Sequence, residues 1–282
     1  MPFKDPAAIT QAGIATGVKK AGLSVDKMLV SGFLAGAYIA FASLLAITVS
    51  AGLDPKVWGT LPTLFTGFVF VLGLVLVVVA GGELLTGNMA LLPLSGLARK
   101  LGPGKIALNF GVVAIGNLLG SLFVAYFLAV KSGVVTKELP LARLTEIATL
   151  KGGTETDWQI FLRALGCNWL VCLAVWMAIG AEDIGGKILA IFFPIMGFVA
   201  MGFDHVVANM FFLPAAVFAD VSGIGWGDVI NNWIFAFLGN LVGAGVFVAG
   251  FYFYLYGRDD PAPDPGDTER GSAAGAREMA AR

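Results

Sequence analysis

The sequence predicts an all-α integral membrane protein of six transmembrane helices, in two inverted halves of three, with helices 2 and 5 broken in mid-membrane. Three observations predict it. Of 282 residues, 57% are hydrophobic and only 13% charged, against about 25% charged in globular domains. The charges bound long apolar runs instead of interrupting them. Finally, the stretch GGELLTGNMALLP (Gly81 to Pro93) returns as GFDHVVANMFFLP (Gly202 to Pro214). At that spacing of 121 residues Gly81 meets Gly202, Glu83 meets Asp204, Asn88 meets Asn209 and Pro93 meets Pro214.

The elements follow in order. Residues 1–27 hold no apolar stretch of signal-peptide type; they read as a cytoplasmic segment with a weak period for a surface amphipathic helix. Charge-free runs then cover 28–53, 57–82, 84–98, 106–130, 164–181, 188–203, 205–219 and 229–257. A helix needs about 20 apolar residues to cross a bilayer, so the first, fourth, fifth and eighth runs are single spans. Only Glu83 parts 57–82 from 84–98, and only Asp204 parts 188–203 from 205–219. Each pair reads as one span broken at its acid. An odd number of spans per half inverts the second half. GNLLG at 116–120 answers GNLVG at 239–243, which gives repeats of about 28–131 and 157–257 within a membrane domain of 28–257. Residues 258–282 are polar and rich in Pro, Gly and Ala, and read as a disordered cytoplasmic tail. With both termini inside, cytoplasmic segments hold twelve Lys and Arg and outer loops five, the bias expected of cytoplasmic loops.

Backbone without helical hydrogen bonds is tolerated in a membrane only where it is buried in protein or lines a cavity. Two broken helices from inverted halves bring free helix ends together near the midplane, where transport sites form. Glu83 and Asp204 are expected to hold the breaks open, accepting bonds from free N–H groups of the following half-helix; a direct ion or proton role is the rival reading. Asn88 and Asn209 are expected to bond the exposed carbonyls. His205 is the only histidine in the chain, and its repeat partner is Leu84. Beside a break, an imidazole can exchange protons with a weak acid, whereas a satisfied core histidine is the plainer role. Thr86 offers a hydroxyl to substrate or histidine. Asn168, within CNWLVCLAVWMA, either faces a pore or joins two helices. A net charge of -1 makes no case for nucleic acid. Cys167 and Cys172, five residues apart in one apolar run, read as buried thiols. No nucleophile–base pair, metal-ligand cluster or nucleotide loop is present, so neither enzyme chemistry nor a cofactor is expected.

GGELLTGNMALLP, CNWLVCLAVWMA and GFDHVVANMFFLP, in that order, resemble the signature stretches of the formate/nitrite transporter family, over about residues 28–257. The resemblance implies an aquaporin-like protomer fold in a homopentamer, with one pore per protomer. It implies passage of small monovalent weak-acid anions, with the proton involved, across the inner membrane of a prokaryote. Formate is the first expectation and nitrite the second; acetate, lactate and hydrosulfide follow. By the resemblance the loop threonine is Thr86, the central histidine His205 and the pore asparagine Asn168. The apolar constrictions fall on Phe70, Leu74, Leu84, Leu85 and Phe198. Many members have Phe where this chain has Leu85, which widens or softens the constriction. The family's basic residue before span four matches Lys151, although KGGTETDW carries one extra residue; a solvated loop lysine is the alternative. Protonation of His205 at low pH would alter its bond to Thr86 and give pH dependence. Two other classes compete. A neutral-solute channel of aquaporin type would carry paired Asn-Pro-Ala motifs, absent here, and pH-independent flux. A non-transporting enzyme anchor would copurify with a soluble partner.

Overall fold

The computed structural model describes residues 3–258, and the elements are helical apart from an isolated bridge between Phe3 and Ala181. The expected C-terminal tail lies almost wholly outside the described residues. In chain order the helices are α1 (Pro6–Ala21), α2 (Val25–Ser50), α3 (Pro55–Trp58), α4 (Leu61–Val75), α5 (Leu85–Leu97) and α6 (Pro103–Phe123). They continue with α7 (Glu138–Thr149), α8 (Asp157–Gly180), α9 (Ile184–Ala200), α10 (Val206–Phe218), α11 (Trp226–Ala244) and α12 (Phe251–Tyr256). Wider π-type turns extend α4 over Leu76–Gly81, α6 over Val124–Lys131, α7 over Leu150–Thr154 and α11 over Gly245–Gly250.

Five of these stretches are long and apolar enough to cross a membrane: Val25–Ser50, Leu61–Gly81, Pro103–Lys131, Asp157–Gly180 and Trp226–Tyr256. Helices α9 and α10 are apolar but shorter, and α5 has only 13 residues. The short helices meet at the two motif stretches. There the backbone leaves the helix after Gly81 and Gly202, at φ of 100° and 72°. A residue with a Cβ is strained in this left-handed region, which accounts for glycine at both aligned positions. The chain then runs extended through Leu84 and His205 before helix resumes.

Glycines also set how close the long helices come. A Cβ on Gly36 would lie 2.0 Å from the Asn117 carbonyl oxygen, and one on Gly120 would lie 2.0 Å from that of Phe33, so α2 and α6 touch backbone to backbone. Helices α8 and α11 do the same: a Cβ on Gly239 would lie 2.2 Å from the Phe161 carbonyl, and one on Gly243 2.2 Å from that of Leu165. Small residues at such crossings replace the hydrophobic drive that lipid removes. The two matched segments GNLLG and GNLVG are therefore crossing points. Each places its asparagine, Asn117 or Asn240, against a break.

Helix α1 packs one face on the protein and leaves the other exposed. Asp5 caps it, accepting from Ala8 N–H, and Pro6 opens its first turn. Ile9, Gly13, Ile14, Gly17 and Ala21 are then buried. Gly17 lies so close to α5 that a Cβ would sit 2.2 Å from the Leu91 carbonyl, and Ser95 Oγ donates to Ile14 O at 2.8 Å. The weak amphipathic period follows from this: the helix is buried on one side by protein and carries small residues there.

Candidate functional site

At the first break, Leu85 N–H donates to Asn117 Oδ1 at 2.9 Å, and Asn117 Nδ2 donates to Glu83 O at 2.8 Å. At the second, Val206 N–H donates to Asn240 Oδ1 at 2.9 Å, and Asn240 Nδ2 donates to Asp204 O at 2.9 Å. One side-chain amide thus supplies a donor and an acceptor to each interrupted backbone, the pairing that buried peptide groups require.

The acids do something else. Glu83 Oε1 pairs with Lys20 Nζ at 2.8 Å, and its Oε2 accepts from Asn88 Nδ2 at 2.9 Å. Asn88 also donates to Asn109 Oδ1 at 2.9 Å, and Asn109 Nδ2 reaches back to Lys20 O at 3.4 Å. In the other half Asp204 Oδ1 accepts from Lys151 Nζ at 2.7 Å and from Asn209 Nδ2 at 2.8 Å. Asn209 donates to Asn232 Oδ1 at 2.8 Å, and Asn232 Nδ2 donates to Lys151 O at 3.0 Å. Each half therefore has the same ring of lysine, acid, asparagine and asparagine. The expectation that Glu83 and Asp204 cap helix N–H groups, with Asn88 and Asn209 on carbonyls, is corrected. A carboxylate this far from water needs a charged partner, and the lysine outcompetes neutral backbone.

His205 and Thr86 join the breaks. His205 Nε2 lies 2.9 Å from Thr86 Oγ1, and Ala208 N–H donates to His205 Nδ1 at 3.1 Å. Because Nδ1 is the acceptor of a helix-capping bond, the proton of the neutral ring sits on Nε2 and points to the Thr86 oxygen. Both side chains are buried. The imidazole stacks on Phe198 at 6.0 Å between centroids, and Phe198 meets Phe70 edge-on at 5.9 Å. Phe70, Phe198, Lys151, His205 and Asn209 line a cavity of about 170 Å³. Lys20, Leu74, Glu83, Leu84 and Asn88 line a second of about 300 Å³. So two cavities, one with Lys151 and the other with Lys20 and Lys187, approach the Thr86–His205 bond, one behind Phe70 and Phe198 and the other behind Leu74 and Leu84.

Two sequence-predicted residues lie elsewhere. Leu85 lines neither cavity but a separate cleft with Ala114, Val206 and Met210. Leu84 is extended, and along extended chain successive side chains point to opposite sides, so Leu84 takes the cavity and Leu85 turns away. Asn168 joins helices: its Nδ2 donates to Asn240 O at 2.8 Å and to Thr86 O at 3.2 Å. Lys151 is no solvated loop lysine, being 9% exposed. Both cysteines are buried and free. The sequence reading missed Lys20, Asn109, Asn232, Asn117 and Asn240. For the last two the signal was present in GNLLG and GNLVG; for Lys20 none was, because nothing local ties α1 to the first break.

The family model for "Formate/nitrite transporter" matches residues 7–254. An "Uncharacterized transporter YrhG" of Bacillus subtilis is 48% identical over 261 residues, 92% of this chain and 96% of that one. A "Probable formate transporter" of Methanothermobacter thermautotrophicus is 44% identical over 269 residues, covering 90% of this chain and 97% of the other. Among solved structures, "Pentameric formate channel with formate bound" superimposes with a TM-score of 0.72 at 30% identity, over 83% of this chain and 98% of that one. With a match across nearly the whole membrane region and relatives this similar, the chain belongs to the formate/nitrite transporter family, and is a membrane transport protein rather than an enzyme.

Proposed function

We propose that the protein passes small monovalent weak-acid anions, formate first and nitrite next, through one pore in each protomer of a homopentamer. The pore runs from the Lys151 cavity past Phe70, Phe198 and the Thr86–His205 pair to the Lys20 cavity. The observation that carries this reading is the junction itself: a buried histidine–threonine bond of 2.9 Å between two lysine-bearing cavities. Six spans in a 3+3 inverted repeat, with helices 2 and 5 broken, suit the equivalent rings around Glu83 and Asp204. Both termini are read as cytoplasmic on the positive-residue bias, and the inner membrane of a prokaryote is read from the prokaryotic relatives.

The chemistry follows from cost. Moving a bare anion from water into a low-dielectric constriction costs on the order of tens of kcal/mol in Born terms, and the group neutralises instead. Lys151 and Lys20 attract the anion into their cavities. Losing water there raises its pKa until it takes a proton. Water in the cavity is the proposed proton source. His205 donates Nε2–H to the passing acid and keeps Nδ1 for the α10 cap; protonating Nδ1 would break that cap. The neutral acid then crosses between Phe70 and Phe198 and between Leu74 and Leu84.

The test is labelled formate flux into proteoliposomes at several pH values, with nitrite as competitor and a His205→Gln sample alongside. Saturable, nitrite-inhibited flux that rises with acidity is expected, with a rate change in the variant. Intact pentamers with neither formate nor nitrite flux at any pH would sink the substrate assignment.

A further inference from the structure

The two rings differ in one respect. Glu83 uses both oxygens, one on Lys20 and one on Asn88. Asp204 takes Lys151 and Asn209 on the same oxygen, Oδ1, and its buried Oδ2 has no partner among the described residues. Across from it, Glu155 sits in the chain between the Leu150–Thr154 turn and α8. Its Oε1 pairs with Arg163, while its buried Oε2 also has no partner among those residues. The side chains of Glu155 and Asp204 are 1% and 0% exposed, and their carboxyls lie within hydrogen-bonding reach of one another. Two buried acceptors facing each other repel when both are charged; a single proton between them gives each a partner.

We propose that Glu155 is a proton-holding positioning residue of the pore mouth: its carboxyl shares one proton with Asp204, and its ionisation sets the net charge that the Lys151 cavity presents to an incoming anion. The proposal rests on the reading of that cavity as an anion entrance. Four charged groups make the cluster: Lys151, Arg163, Asp204 and Glu155. With both acids ionised their charges cancel. With the shared proton, one positive charge is left over beside the cavity. The other charged or titratable groups on surrounding elements are ion-paired or held in hydrogen bonds of their own. Arg143 and Glu146 of α7 pair at 2.6 Å. Asp228 of α11 accepts from Gly225 N–H, Asp157 of α8 accepts from Asn231, and His205 has both ring nitrogens engaged. Cys167 of α8 is a buried free thiol.

Burial first, and then the charge of Asp204, push the Glu155 carboxyl up to about 7, against the pull of Lys151 and Arg163. The sign follows. Below that pH the proton is held and the cavity is positive; above it Glu155 ionises and the cavity loses its excess charge. Anion capture therefore strengthens with acidity on top of the substrate's own protonation. The first half has no such group, because Glu83 has no free oxygen.

Glu155→Gln keeps the shape and an N–H for Asp204 but cannot ionise. The experiment measures formate flux in reconstituted wild type and variant across roughly pH 5–9 and plots their ratio, which divides out the substrate's titration. Difference infrared spectra of the same samples, without substrate, follow the protonated-carboxyl band. The expected ratio is near one in acid and rises severalfold in alkali with a midpoint near 7, while a carboxyl band that titrates near neutral pH in wild type vanishes in the variant. A flat ratio with no neutral-titrating band lost overturns the proposal, as does a band that survives Glu155→Gln. Absence of formate flux in both, with the band behaving as described, overturns the substrate reading and leaves Glu155's proton in place. Gel filtration of both samples establishes that each is folded, and Glu155→Asp, which keeps the acid, is expected to retain a titrating band.

Discussion

At the scale of single residues, two amides bear more of the architecture at the breaks than the acids Glu83 and Asp204. Asn117 satisfies both Leu85 N–H and Glu83 O, and Asn240 does the same for Val206 N–H and Asp204 O. Leucine matches asparagine in size but leaves these peptide groups unpaired, at about 1–3 kcal/mol for each buried group. Asn117→Leu and Asn240→Leu are each expected to destabilise the protein by at least about 2 kcal/mol, read as a clear drop in thermal unfolding temperature in detergent. Thr86→Val tests the neighbouring bond. It removes the acceptor of His205 Nε2–H without changing volume, so formate flux is expected to fall severalfold while the unfolding temperature shifts little, a bond between neutral groups being worth about 1 kcal/mol.

At the scale of elements, the helix pairs depend on glycine and on one ion pair between α1 and the first break. Gly120→Ala would set a methyl 2.0 Å from the Phe33 carbonyl oxygen, a clash that only separation of α2 from α6 relieves. Loss of folded, extractable protein is expected. Gly104→Ala, in the first turn of α6 with no heavy atom near its Cβ position, is the control and is expected to be neutral or up to about 1 kcal/mol stabilising. Lys20→Gln leaves the Glu83 carboxylate, 10% exposed at its side chain, without its cation. The double change Lys20→Gln with Glu83→Gln removes both charges and is expected to recover much of the lost stability, since breaking a buried pair costs more than deleting it. Unfolding temperatures of the two singles and the double measure that coupling.

At the scale of the whole molecule, apolar side chains such as Phe68, Leu189, Phe193, Ile230 and Tyr254 remain outward-facing, the surface that a bilayer or a neighbouring copy covers. The solved relative with which this chain superimposes is titled a pentamer. Native mass spectrometry from detergent is expected to show five chains of 29.4 kDa each; a monomer as the sole species that still conducts formate would overturn the pentamer.

Membrane character, the positions of both breaks and the pairing of the two motif stretches were all legible in the sequence. They rest on local causes: the length of apolar runs, left-handed glycines at Gly81 and Gly202, and single charges with no neighbour in the run. The junction of Thr86 with His205 was legible as one of two partners open to the Thr86 hydroxyl, substrate or histidine, and its geometry was not. Tertiary structure alone decided which partner each buried group takes. Lys20 and Glu83 are 63 residues apart, and Lys151 and Asp204 53 apart; no period or spacing links them. The reason is physical. Helix formation answers to neighbours three and four residues away, whereas a buried charge answers to whichever opposite charge the packed fold brings within about 3 Å. For the same reason the acids lost the capping role to Asn117 and Asn240, and Glu155 stood unnoticed in a loop until folding set it against Asp204.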